Sequence, residues 1–250
     1  MIDFQAVYVI WLREMKRFFR DKSQILIGSV RPVTWLFFMG YGLGPSFHGA
    51  PGTGYTQFVL PGITIMALLF TAIQSAISII WDREFGFLKE MLVAPISRTS
   101  IVLGKACGGT TLSVVEGFIV LLLGPVIGVH LRPAQLLECL GIMTITAFSL
   151  SALGITIASR MKSFEGFGAI MNFLVMPLFL LSGALFPLKG LPGWLYVLVR
   201  LNPLSYGVDL MRGALLGLNR NSNLTNVGII LGFGLVMIAS AVWQFNRTES

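Results

Sequence analysis

From Gln57 to Ile80 the chain reads QFVLPGITIMALLFTAIQSAISII, and from Trp81 to Arg98 it continues as WDREFGFLKEMLVAPISR. The first stretch carries no charged side chain. At 1.5 Å per residue it is long enough to cross a hydrocarbon core of ~30 Å. Its apolar residues do not alternate with a period of two, which disfavours a β-barrel strand. In lipid, backbone N–H and C=O groups have no water to bond, so they must pair within the segment, and a helix is what remains.

Five further segments of this kind lie around it, at 24–44, 102–128, 135–158, 167–186 and 225–245. The expected fold is therefore an all-α membrane protein with six transmembrane helices, the quoted span at 57–80 being the second. Composition agrees: of 250 residues, 55% are hydrophobic and only 12% charged, and the mean hydropathy is +0.80. Those values exclude a disordered chain and argue against a water-soluble enzyme. The net charge of +7 and pI near 9.8 would suggest nucleic acid in a soluble protein. Here the bases read as topology signals, and no nucleic-acid partner is expected.

With the N-terminus in the cytoplasm, one side collects Arg13, Lys16, Arg17, Arg20, Lys22, Arg83, Lys89, Arg98, Lys105, Arg160, Lys162 and Arg247. The other side holds Arg132, Lys189, Arg200, Arg212 and Arg220, and the first outer loop, Pro45 to Tyr55, has no base. Twelve bases against five place both termini in the cytoplasm by the positive-inside rule. Arg31 sits near the cytoplasmic end of the first span, from where it snorkels toward the headgroups.

Residues 1–22 contain no cleavable signal and read as an amphipathic interfacial helix. Phe4, Tyr8, Trp11, Met15 and Phe18 recur on one face, and Arg13, Lys16, Arg17 and Arg20 on the other. A soluble surface helix is the alternative. On the outer side, residues 188–218 are too apolar for a free loop, yet each half is too short to span. Two re-entrant half-helices broken at Asn202-Pro203 are expected.

No catalytic signature is present. The sequence lacks a phosphate loop, a His-Glu-x-x-His motif, metal-ligand spacing and a nucleophile elbow. His48 and His130 fall at outer span ends, and Cys107 and Cys139 read as buried free thiols. Glu116 is a mid-span acid, either paired with a polar group on another helix or facing a watery path. Gln74, Ser75, Ser78 and Asn172 either line a pathway or serve as hydrogen bonds between helices. Asp209 and Arg212, spaced i, i+3, are a possible ion pair at an outer gate or ordinary interface residues. Glycine pairs such as Gly40/Gly44 and Gly228/Gly232 permit close helix crossings.

In the stretch after the second span, Trp81, Phe85, Leu88 and Leu92 form a helical stripe. Asp82 and Glu84 stand at its start, where the helix dipole favours acids, and Pro95 stops it. Such a helix is either gripped by a partner protein or rests on lipid.

The pattern Glu84-x-Gly86-x-Leu88-x-x-x-Leu92-x-x-Pro95-x-Ser97-Arg98 resembles the signature of ABC type-2 permeases, membrane subunits of ATP-binding-cassette exporters of the daunorubicin-resistance type. Phe58-x-x-Pro61-Gly62, Leu181-Ser182-Gly183-x-x-Phe186-Pro187, Asn202-Pro203-Leu204-x-Tyr206 and Arg212-Gly213 extend the likeness across nearly the whole chain. The resemblance implies a non-catalytic permease in the bacterial inner membrane, with two copies paired as a homodimer. Each copy would dock a nucleotide-binding subunit holding ATP and magnesium, leaving no cofactor on this chain. It further implies a coupling helix at 82–93, with Phe85, Leu88 and Leu92 filling an ATPase groove. Arg83, Glu84, Lys89 and Glu90 would set the register by charge, with Asp82 also among the ATPase-coupling residues. Expected cargo is an amphipathic drug-like or lipid-linked molecule, the alternatives being a lipid-linked polysaccharide or ion-coupled secondary transport through Glu116.

Overall fold

The computed structural model describes residues 2–44, 54–161, 163–188 and 191–247, apart from the side chains at 23, 24, 27, 43, 89 and 92. His48 and most of the first outer loop, Lys162, Lys189, and the side chains of Lys89 and Leu92 lie outside the described residues. The described chain is helical, with no strand. Its order is α1 Phe4–Arg20, α2 Lys22–Leu43, α3 Tyr55–Ser75, α4 Ile77–Glu84, α5 Phe87–Val93 and α6 Arg98–Leu121. A 3₁₀ turn at Gly124–Ile127 leads to α7 Pro133–Arg160, α8 Phe164–Leu180, α9 Gly193–Leu201, α10 Pro203–Leu216 and α11 Asn223–Arg247.

Four stretches are long and apolar enough to cross a membrane: Tyr55–Glu84, Arg98–Ile127, Pro133–Arg160 and Asn223–Arg247. The helix Phe164–Leu180 is apolar but shorter. The central element is α3, which packs against α2, α6, α7, α8 and α10. Its residues from Phe58 to Leu69 are buried without interruption. A helix surrounded by other helices must be apolar on every face, which is why this stretch reads as an unbroken apolar run. By contrast α11 leans on α7 and exposes Leu224, Leu231, Leu235, Val236 and Trp243.

The first helix differs from the expected stripe. It buries Ile10, Glu14, Met15 and Phe18, while Phe4 and Tyr8 are 80% and 57% exposed. The reason is that α1 docks on protein, along α6. A Cβ at Gly104 would come within 2.8 Å of Ile10, and one at Gly108 within 3.0 Å of Glu14. These two glycines leave a groove into which α1 settles. Asp3 caps the helix through its carboxylate, and its own N–H donates to Ser100 Oγ at 2.8 Å. Trp11 Nε1 donates to Thr111 Oγ1 at 3.0 Å. The glycine pair expected to mediate crossing on α11, Gly228 and Gly232, instead faces open space.

Between α9 and α10 the break falls at Asn202-Pro203. The Asn202 side chain accepts from the N–H of Leu204 at 3.0 Å and donates to the Leu178 carbonyl at 2.6 Å, fixing the break to the end of α8. With 9 and 14 residues, neither helix reaches across ~30 Å. Both cysteines are free; Cys139 is buried and Cys107 partly so.

Candidate functional site

The single helix expected over 82–93 is two. Gly86 adopts φ +79°, in the left-handed region that side chains disfavour, and separates α4 from α5. This elbow shifts the phase of the apolar stripe. Leu88 turns inward and is 2% exposed, with Met91 buried beside it. Glu84 and Glu90 remain exposed, and so do Phe85 at 72% and Val93 at 87%. The outward set is therefore Glu84, Phe85, Glu90 and Val93 rather than the continuous stripe through Leu88.

Asp82, placed on that outer set by sequence reading, is buried at the end of α4. Its Oδ2 accepts from Lys105 Nζ on α6 and from Arg13 on α1, both at 2.5 Å. Lys105 also donates to Glu14 Oε1 at 2.7 Å and to Ser78 Oγ at 2.9 Å. An ammonium has three donors, and all three are used. Burial raises the Glu14 carboxyl, but Lys105, Arg13 and Arg17 outweigh that and hold it below the ordinary carboxylate range. Three helices thus meet at one satisfied ionic knot. Ser78, expected as a pathway residue or a bond between helices, belongs to this knot.

The elbow is tied down on its other sides too. Arg83, expected to face a partner, donates to the Met161 carbonyl and, at 2.9 Å, to that of Ser159, where α7 ends. Arg98, at the start of α6, donates to the carbonyls of Phe245 and Asn246, both at 2.9 Å, at the end of α11. Each guanidinium satisfies carbonyls that a helix leaves unpaired at its C-terminus. Arg13 rests over the Phe87 ring at 4.3 Å, so α1 also touches α5. Lys16, Arg17 and Arg20 are exposed and, with Arg13 and Asp21, line a basic cleft of about 490 Å³.

A second feature is a cavity of about 560 Å³ between α2, α3 and α6, whose lining includes Arg31, Phe70, Thr71, Gln74, Trp81 and Glu116. Glu116 is 2% exposed and accepts a hydrogen bond from Thr71 on α3. Of the polar residues considered for a pathway, Gln74 and Glu116 share this cavity. Asn172 is exposed on α8.

At the opposite end, motifs far apart in sequence converge. Tyr55 OH donates to the Leu185 carbonyl at 3.0 Å, and a Cβ at Gly62 would strike Ala184. Arg212 donates to the Gly183 carbonyl at 2.8 Å, with its guanidinium 4.0 Å over the Phe58 ring. Asp209 and Arg212 form no ion pair within 4.0 Å. Instead Asp209 accepts from the N–H groups of Arg220 and Asn221 and from Asn226 Nδ2, at 2.8–2.9 Å. It closes the turn before α11, where three neutral donors satisfy it better than one cation already held elsewhere.

Sequence reading missed Lys105 and Glu14 as partners and Gly104/Gly108 as a groove. The one available signal was Glu14 itself, a carboxylate at i+4 from Ile10 and four before Phe18, on the face that is buried.

A family profile described as ABC-2 type transporter matches residues 5–216. The chain is 30% identical over 216 residues to a putative transport permease, ycf38, of Cyanophora paradoxa, covering 83% of this chain and 73% of that protein. It is 29% identical over 234 residues to the inner membrane transport permease YadH of Escherichia coli strain K12, covering 91% and 90%. Nodulation protein J of Rhizobium leguminosarum bv. trifolii is 26% identical over 211 residues, covering 83% and 80%.

Proposed function

The chain belongs to the ABC-2 type transporter family, a family of transport permeases that pair with an ATP-binding subunit, and from that premise we propose that it is the non-catalytic membrane subunit of an ATP-driven exporter. In this reading ATP and magnesium are held by two separate nucleotide-binding subunits, and two copies of this chain form a homodimer in the bacterial inner membrane. The spans are α2, α3 with α4, α6, α7, α8 and α11. The short helices α9 and α10 dip into the outer leaflet, and both termini face the cytoplasm. Cargo is an amphipathic drug-like or lipid-linked molecule. The mixed charged and aromatic lining of the Glu116 cavity supports that class.

One observation carries the proposal. Asp82 and Arg83 fasten the α4 side of the elbow to α1, α6 and α7, and Arg98 ties the start of α6 to α11, while Glu84, Phe85, Glu90 and Val93 point outward. A partner pushing on that outward face moves four helices, because each attachment is a charged contact rather than a flexible loop. Export requires that ATPase closure be converted into such a displacement.

The test is co-expression with the ATPase encoded nearest to this gene, followed by co-purification and export from ATP-loaded inverted vesicles. The double variant Glu84→Ala/Phe85→Ala should lose the ATPase while inserting normally. Unchanged recovery of the complex and unchanged ATP-linked transport would reject the assigned surface. Transport that survives ATP depletion and follows a proton gradient would reject the exporter.

A further inference from the structure

Arg31 and Glu116 line the same cavity between α2, α3 and α6, yet they form no ion pair within 4.0 Å. Among the described residues, the Arg31 guanidinium has no hydrogen-bond acceptor and rests over the Phe70 ring at 4.8 Å. Glu116 is almost fully buried, and its one hydrogen bond comes from Thr71, which leaves acceptor positions on the carboxylate unfilled. Unpaired opposite charges at membrane depth normally close on each other. Here both line one open volume of about 560 Å³ without closing on each other.

The backbone of α2 shapes the Glu116 side of this volume. A Cβ at Gly28 would strike the Glu116 carboxylate, so a larger residue there would push that side chain aside. Pro32 has no N–H to give the Gly28 carbonyl, which adds an acceptor next to Glu116. The cavity thus has one acceptor-rich pole at Glu116 and Gly28. Arg31 and Arg17 also line it, with Asp21 in the same lining, and the Arg17 guanidinium lies 5.5 Å from the Trp81 ring.

We propose that this cavity binds a zwitterionic phosphate–amine headgroup: the phosphate on Arg31 and Arg17, the protonated amine on Glu116. A guanidinium fork matches a phosphate, and a buried carboxylate needs a cation to replace its lost water. Pro32, Phe70, Ile77 and Trp81 give the same lining apolar walls. They suit acyl chains, so the ligand is a lipid rather than a soluble phosphoester. The site rests on the membrane placement proposed above, not on pairing with an ATPase.

The experiment is native mass spectrometry of the full-length chain, without ATPase, from nanodiscs of equal phosphatidylethanolamine and phosphatidylglycerol. Wild type should retain phosphatidylethanolamine preferentially. Glu116→Gln, which keeps an acceptor for Thr71, should lower the phosphatidylethanolamine-to-phosphatidylglycerol ratio about tenfold, and Arg31→Gln should weaken retention of both lipids about tenfold. Arg31→Lys should recover part of that loss. Equal retention of the two lipids by wild type, or the same ratio in Glu116→Gln and wild type at unchanged melting temperature, overturns the proposal. Competition by free phosphoethanolamine as strong as by the lipid overturns its lipid part. Because no ATPase is present, failure of the exporter reading would leave this result standing, and the reverse.

Discussion

Lys105 on α6 holds Asp82, at the end of α4, at 2.5 Å and Glu14, on α1, at 2.7 Å. One ammonium therefore joins the N-terminal helix to the segment that precedes the Gly86 elbow. With Ser78 as its third acceptor the group is satisfied, and removing it leaves two buried carboxylates with only the partly exposed Arg13 as a cation. Lys105→Met should destabilise the chain by about 3–5 kcal/mol, as expected when one partner of a buried ionic network is lost. The measurement is thermal unfolding in detergent, with limited proteolysis near Arg20 reporting release of α1. A melting temperature like that of wild type would show that the knot contributes nothing net.

Acid should loosen the same joint. The folded Glu14 carboxyl lies below its ordinary value of 4.5. Its contribution is therefore present above that value and is lost as pH falls through the lower folded one. Stability and α1 protection should hold at neutral pH and decline below about pH 4.5. In Glu14→Gln the decline should be shallower. An identical acid profile in the variant would exclude Glu14 as a contributor.

The groove under α1 is a matter of volume. Gly108→Leu places atoms where Glu14 already packs, and Gly104→Val does the same against Ile10. Each should cost about 1–3 kcal/mol by overpacking and lift α1 from α6. A cysteine pair across α1 and α6, trapped by a short cross-linker in the parent chain, should no longer cross-link in these variants.

The elbow is set by one backbone angle. At Gly86 nothing blocks a Cβ, so Gly86→Ala isolates conformational strain from crowding. It should cost about 1–2 kcal/mol. If the elbow orients Phe85 and Val93 toward a partner, ATPase recovery should fall beyond what the stability change explains, and Leu88, now buried, should become exposed and raise the binding of an apolar dye.

Asn202 does two jobs, capping α10 and bonding the end of α8. Asn202→Ala should cost about 1–2 kcal/mol. Asn202→Asp keeps the cap but loses the donor to Leu178, and should fall between the two. Equal effects of both variants would assign the whole contribution to the Leu178 contact.

Much of the fold was legible because lipid leaves the backbone few choices. The uncharged run through α3 and the break at Asn202-Pro203 each translate directly into structure. What the chain did not disclose was phase and partner. Glycine at 86 reads as a helix residue of low propensity until its φ is known, and that angle alone turns Leu88 inward. Asp209 and Arg212 sit at pairing distance along a helix, yet each finds better partners from distant segments: the turn at 220–221 and the Gly183 carbonyl.

Local periodicity and hydropathy, which depend only on neighbours along the chain, determined that this is an apolar helical chain of membrane type and where its long apolar helices run. Tertiary structure alone decided which charges meet. An ion pair such as Lys105 with Glu14 joins residues ninety-one apart, and it exists because α1 drops into the glycine groove of α6. That is a packing event, and no one-dimensional pattern encodes it.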